Sequence, residues 1–195
     1  MNRVKVSVFQ EAKNGNVECG DSYYYQETDE GFICALADGL GSGQYAKESS
    51  KIVIDIIEEN FTLKPEELIV KCNKQLIGKR GAVLAIFKMD YVAHAYTISL
   101  IGNIGVMSVS GDKKRKYIPI VGYLSGCNNN LKVIREPLEE EMNFIMYTDG
   151  VTNQDLSQNY FYDKDVERIT KCFALKNDGP RKDDTTLIAI HYNRA

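Results

Sequence analysis

The chain opens on alternation. Residues 3–10 repeat apolar and polar positions with period two, the pattern of a strand with one covered face. After the turn signal Asn14-Gly15-Asn16, two more strands are expected over 22–28 and 32–37, joined through Asp29-Glu30-Gly31. The second is apolar at every position, which suits a strand buried on both faces. It runs into Asp38-Gly39-Leu40-Gly41-Ser42-Gly43, too rich in glycine for helix or strand. Ala46, Ile52, Val53, Ile56, Ile57 and Phe61 then recur at three-to-four spacing and predict a helix with Ser42 as its N-cap. A second helix starts near Pro65, carries Leu68, Ile69, Cys72 and Leu76 on one face, and stops at Gly78.

From Gly81 the period returns to two. Strands over 83–89, 94–101, 106–110 and 116–120 are expected to form an antiparallel meander, broken at Asp90, Gly102-Asn103 and Gly111-Asp112. Residues 121–141 read as loop, with Gly122, Gly126, Asn128-Asn129-Asn130 and Pro137, and the part over 121–137 is expected to carry protein specificity. A buried strand over 144–147 ends in Thr148-Asp149-Gly150. A helix over 163–175 and a last strand over 185–192 complete the pattern. No repeat or compositional break divides the chain, so residues 1–195 read as a single domain. Strands, then two helices, then many strands spell α+β.

Composition narrows the chemistry. A chain of 195 residues buries roughly 70% of its unfolded surface, so it needs neither a metal nor a disulfide to make a core. A metal, if bound, would serve chemistry. Lys and Arg total 24 against 27 Asp and Glu, a net charge of −3 that gives no reason to expect nucleic acid or an anionic membrane as partner. No apolar run approaches the ~20 residues of a membrane span, and the first residues alternate where a signal peptide would be continuously apolar. A cytoplasmic, monomeric protein is expected. The five cysteines (Cys19, Cys34, Cys72, Cys127, Cys172) contain no C-x-x-C pair and read as free thiols in a reducing compartment. His94, on the solvent face of a predicted strand, and His191 are the only histidines, so hydrolytic chemistry would have to rest on carboxylates.

Four aspartates share one setting, a strand edge beside glycine or another turn former: Asp21, Asp38, Asp149 and Asp183. A buried carboxylate is costly unless it is paired or bound to metal, and few basic residues stand near these in sequence. An all-oxygen site selects Mg²⁺, Mn²⁺ or Ca²⁺ over zinc and copper. Gly39, lacking a Cβ, would let its carbonyl approach such an ion. Each Asp-Gly pair can also be read simply as a turn.

Taken in order, Gly20-Asp21, Asp38-Gly39-Leu40-Gly41, Arg80-Gly81-Ala82, Ile101-Gly102-Asn103, Thr148-Asp149-Gly150 and Asp183-Asp184-Thr185-Thr186 resemble the signatures of the PPM (protein phosphatase 2C-like) metal-dependent serine/threonine phosphatases. The resemblance covers nearly the whole chain. The short length, with Lys79-Arg80-Gly81-Ala82 and Gly122-Tyr123-Leu124-Ser125-Gly126, is similar to a bacterial branch, the RsbX-type phosphatases that reset the stressosome of a general stress response. The resemblance implies a four-layer α-β-β-α sandwich of two antiparallel sheets flanked by helices. It implies two Mn²⁺ or Mg²⁺ ions at one end, with Asp38 bridging both, the Gly39 carbonyl on one, Asp149 and Asp183 on the other, and Asp21 at the second metal or acting through water. Asp38 and Asp149 are the implied catalytic pair for hydrolysis of phosphoserine or phosphothreonine by a metal-activated water. Phosphorylated scaffold or antagonist proteins of stress signalling are the implied partners. The chain departs from the family at Leu40, where many members have histidine, and it lacks a clear phosphate-holding arginine; Arg80 and Arg181 are the candidates. Two other readings remain open. The glycine-rich 38–43 segment resembles the nucleotide loop of an anti-sigma-type serine kinase, and a phosphatase-like fold can serve as a catalytically silent binding module.

Overall fold

The computed structural model describes residues 3–126 and 132–194, and among them the alternating segments become ten strands in two antiparallel five-stranded sheets. One sheet has the order β1 (Val4–Glu11), β10 (Thr185–Asn193), β9 (Glu141–Tyr147), β6 (Gly105–Ser110), β7 (Lys113–Tyr117). The other runs β2 (Asp21–Glu27), β3 (Gly31–Gly39), β4 (Ala82–Asp90), β5 (Ala95–Ile101), β8 (Val133–Pro137). Helices α1 (Gln44–Glu59) and α2 (Pro65–Gln75) cover the β2–β8 sheet. Helix α4 (Val166–Lys176), preceded by a short α3 (Asn153–Leu156) and a 3₁₀ turn (Asn159–Tyr162), covers the other. The expected α-β-β-α sandwich is what forms.

The reason β3 is apolar throughout is that both its faces are covered. Phe32, Cys34 and Leu36 point between the sheets, where they meet Phe87 and Phe144; Ile33, Ala35 and Ala37 point outward beneath Val53, Ile57 and Leu68 of the helices. Successive strand residues face opposite sides. Position 38 therefore falls on the inter-sheet face, at the end of the strand.

Several expected elements are corrected. The meander splits: β4 pairs with β5 and β6 with β7, but β5 and β6 belong to different sheets, and the chain crosses between them at Gly102-Asn103. The strand expected over 116–120 is Lys113–Tyr117 instead. Its lysines hid it; an edge strand can be charged because only one side is hydrogen-bonded, and charge there discourages pairing with other chains. Within the expected 121–141 loop lies β8, paired to β5 from Ser99↔Val133 to Ala95↔Pro137, with its proline on the sheet edge. Cys127 and Asn128-Asn129-Asn130 lie outside the described residues; Cys19, Cys34, Cys72 and Cys172, which lie within them, are free thiols. Helix α1 starts from Gly43 with no side-chain cap, so Ser42 is not its N-cap. Helix α4 starts later than expected, at Asp165, whose carboxylate accepts from the backbone N–H groups of Glu167 and Arg168. Among the described residues no helix is long and apolar enough to cross a membrane.

His94 is in a turn with φ of 48°, not in a strand. His191 is buried in β10, opposite Asn143 of β9, and its Nδ1 lies 2.7 Å from Asn143 Oδ1. The Asn143 amide donates to the Phe161 and Asp163 carbonyls, so its oxygen must accept and the His191 Nδ1 carries the proton. Burial holds the imidazole below its usual range despite Glu141 nearby, with Lys5 and Lys164 acting in the same direction as burial. A depressed folded-state value means stability is present above the unfolded value of about 6.5 and is lost as pH falls through the folded one. Urea unfolding at pH 7.5 and 5.5 should show wild type losing more stability than His191→Gln. The aspartates described below have raised values and act with the opposite sign, so the difference between the two proteins is what isolates the histidine.

Candidate metal centre

The register of the β2–β3 pair sets Asp21 directly opposite Asp38 at the strand ends. Residues opposite one another share a face, and like charges so placed repel. Both carboxylates enter the space between the sheets. From the other sheet, parity brings Thr148, four residues after the core residue Phe144, and Thr186, two before Ile188. Their hydroxyls donate to Asp21 Oδ2 at 3.0 and 2.6 Å, and the Thr186 N–H donates to Thr148 Oγ1 at 2.8 Å. Asp21 thus ties the two sheets together through one oxygen. The other, Oδ1, is buried with no hydrogen-bond partner.

Burial pushes the Asp21 carboxyl up to about 6, even though the Thr186 and Thr148 bonds pull it down. Burial pushes Asp38 up to about 8, and the charges of Asp21, Asp149, Asp183 and Asp184 all add to the rise. Asp149 is also raised, by burial and then by Asp183, although Asn103 donates to its Oδ2 at 2.6 Å. The four aspartates picked out in the sequence are therefore gathered at one end of the sandwich, close enough to perturb one another.

Backbone geometry is fitted to this end. A Cβ on Gly39 would lie 1.8 Å from the Ala46 carbonyl oxygen, so only glycine lets α1 pack against the end of β3. Gly41 adopts φ of +100°, which turns the loop away from the strand direction, with the Arg80 guanidinium against it. Leu40 packs against the inter-sheet core, which leaves no proton donor at that position.

Five supporting residues were not singled out from sequence. Asp184 accepts from the backbone N–H groups of Lys13 and Gly20 at 2.8 and 3.0 Å, and so pins the segment that presents Asp21. Lys47 Nζ donates to the Asp21 carbonyl at 2.6 Å, and Asn103 and the Thr148–Thr186 pair act as above. The signal for four of them was adjacency: each borders an aspartate motif or a strand break. Lys47 carries no such mark.

The two arginine candidates part company. Arg80 is exposed, stacked 5.0 Å from the Tyr45 ring centroid. Arg181 is 9% exposed, donates through Nε to Glu11 at 2.8 Å and is held between Phe9 and Phe173. Its guanidinium is engaged with the aromatic core under α4, whereas that of Arg80 faces solvent.

An unpaired buried carboxylate oxygen and a protonation-prone Asp38 among four other aspartates fit a cation, and oxygen-only donors fit a hard one. Among the described residues no three His, Cys, Asp or Glu side chains already stand at metal-ligand spacing.

Two antiparallel sheets between helices, with aspartates at one end of the sandwich, define the class: the fold is that of PP2C-type (PPM) protein phosphatases. The catalytic domain of the serine/threonine phosphatase PstP, solved with two manganese ions, superposes with a TM-score of 0.79 at 12% identity, covering 97% of this chain and 98% of that one. A structure from work on the bacterial stressosome gives 0.86 at 22% identity, over 97% and 100%. The chain belongs to the family of the phosphoserine phosphatase RsbX: it is 34% identical to the Bacillus subtilis (strain 168) protein over 186 residues, 95% of this chain and 93% of that one. The crystal structure of RsbX with magnesium matches with a TM-score of 0.88 and 32% identity over 97% and 96% of the two chains. No family model matches. Family membership sets aside the kinase reading of the glycine-rich segment.

Proposed function

We propose that this protein is a cytoplasmic, monomeric phosphatase that removes phosphate from serine or threonine of stress-signalling phosphoproteins, using two Mn²⁺ or Mg²⁺ ions held by Asp21, Asp38, the Gly39 carbonyl, Asp149 and Asp183. The carrying observation is the facing pair of buried Asp21 and half-buried Asp38, with the Asp21 Oδ1 oxygen unpartnered. When bound, such ions supply an activated water and charge for the phosphoryl oxygens. The chain's own part is to hold the carboxylates: Thr148 and Thr186 fix Asp21, Asn103 fixes Asp149, and Asp184 fixes the strand that presents Asp21. Arg80, exposed and paired with no carboxylate among the described residues, would orient a phosphate dianion. With Leu40 turned into the core, the leaving oxygen must take its proton from water.

The test is phosphate release from a phosphoserine protein with and without Mn²⁺, repeated on Asp149→Asn. Release that requires Mn²⁺ and falls about 100-fold or more in the variant is expected, since one preorganised electrostatic contact is worth roughly that much. Equal rates for both proteins would remove the site from the chemistry. The silent-module reading predicts no release from either, with Mn²⁺ binding absent in calorimetry.

A further inference from the structure

Ile118, Val121 and Tyr123 are 80%, 97% and 46% exposed on the segment that leads from β7 to Leu124. Ile77, just past α2, adds a fourth exposed apolar side chain at 68%, its Cγ1 2.5 Å from where a Cβ on Gly126 would stand. Apolar exposure repeated over two adjoining segments marks a contact surface.

This segment is held firmly. The Gly102 N–H donates to the Ile120 carbonyl at 2.8 Å and the Ile120 N–H to Leu100 at 3.1 Å; Ala82 and Leu124 exchange bonds at 3.1 and 2.8 Å. The Ser125 and Gly126 N–H groups both donate to Asn73 Oδ1, at 3.0 and 2.8 Å. A backbone fixed at so many points presents its side chains at little ordering cost on binding.

It also borders the aspartates. A Tyr123 ring carbon lies 2.9 Å from the place of a Gly81 Cβ, and the Gly122 carbonyl 3.1 Å from that of a Gly102 Cβ, next to Asn103 and its bond to Asp149. Beside Gly81, Arg80 pairs with no carboxylate among the described residues. A cation next to an apolar ridge complements a phosphate dianion next to an apolar side chain.

We propose that residues 118–123, with Ile77, form a preformed docking ridge for the phosphoprotein substrate, taking a phosphoserine segment with an apolar side chain beside the phosphorylated residue. This rests on the phosphatase reading and narrows it. The expected specificity lies in this ridge, not in the whole 121–137 segment, part of which is the β8 strand.

The test uses the full chain with Mn²⁺ and three probes: p-nitrophenyl phosphate and two phosphoserine decapeptides, one flanked by leucines and one by serines. Wild type should show a kcat/KM about tenfold higher for the leucine-flanked peptide, the discrimination that a small apolar contact supports. Ile118→Ser with Val121→Ser should erase that preference and leave p-nitrophenyl phosphate turnover within about twofold. Val121→Ser alone, at a position almost fully exposed, cannot act through folding and should erase part of it. Equal use of both peptides by wild type, or a preference kept by the double variant, overturns the ridge. Failure to hydrolyse p-nitrophenyl phosphate would instead overturn the phosphatase reading beneath it.

Discussion

Asp38→Asn is expected to lose at least about 10³-fold in kcat/KM and to abolish Mn²⁺ binding in calorimetry, yet to be more stable than wild type when metal is chelated. The first half follows from removing a carboxylate that would hold the ions; metal stabilisation of several kcal/mol corresponds to that factor at about 1.4 kcal/mol per tenfold. The second follows from electrostatics. Asp38 is half-buried, faces Asp21 across the β2–β3 pair and is pushed up to about 8. A carboxyl whose folded value is raised is best tolerated while protonated, so the metal-free protein loses stability as pH climbs from the unfolded value of about 3.9 through the folded one. Asparagine imitates the protonated form at every pH. Its advantage should be largest near pH 8.5, a melting temperature higher by about 4 °C or more at roughly 2–4 °C per kcal/mol, and should vanish toward pH 4. A variant less stable than wild type at pH 8.5 in chelator would show that these carboxylates do not strain the fold.

Phe144→Ala tests the other half of the molecule. Phe144 is fully buried between the sheets, its ring centroid 4.4 Å from Phe87 and 4.9 Å from Tyr96. Truncating such a ring costs about 3–5 kcal/mol through lost burial and the cavity left behind, enough to lower the melting temperature by roughly 10 °C. Thr148 lies four residues further along the chain, about 13 Å at strand rise. Mn²⁺-dependent hydrolysis measured at 15 °C should therefore stay within about twofold of wild type. Leu175→Ala, at a side chain 78% exposed on α4, should change neither quantity. A melting temperature unmoved by the loss of Phe144 would mean the sheets do not depend on their shared core.

Particular residues show where sequence was legible. The unbroken apolar run before Asp38 announced a strand covered on both faces, and β3 is one, with α1 and α2 outside it and Phe87 and Phe144 inside. Lys113–Tyr117 was misplaced because solvent tolerates lysine on a sheet edge, so burial left no trace in the pattern. Arg181 looked as available as Arg80, since a cation's sequence neighbours do not reveal that Phe9, Phe173 and Glu11 enclose it.

Period and turn chemistry act over a few neighbouring residues, so they already mark which aspartates stand at strand ends and that β3 is covered on two faces. That β5 and β6 lie in different sheets, and that Asp21 faces Asp38 while Thr148 and Thr186 reach Asp21 from across the sandwich, emerges with the folded chain alone. Register and sheet order are set by contacts between residues far apart in the chain, whose energies no local pattern encodes.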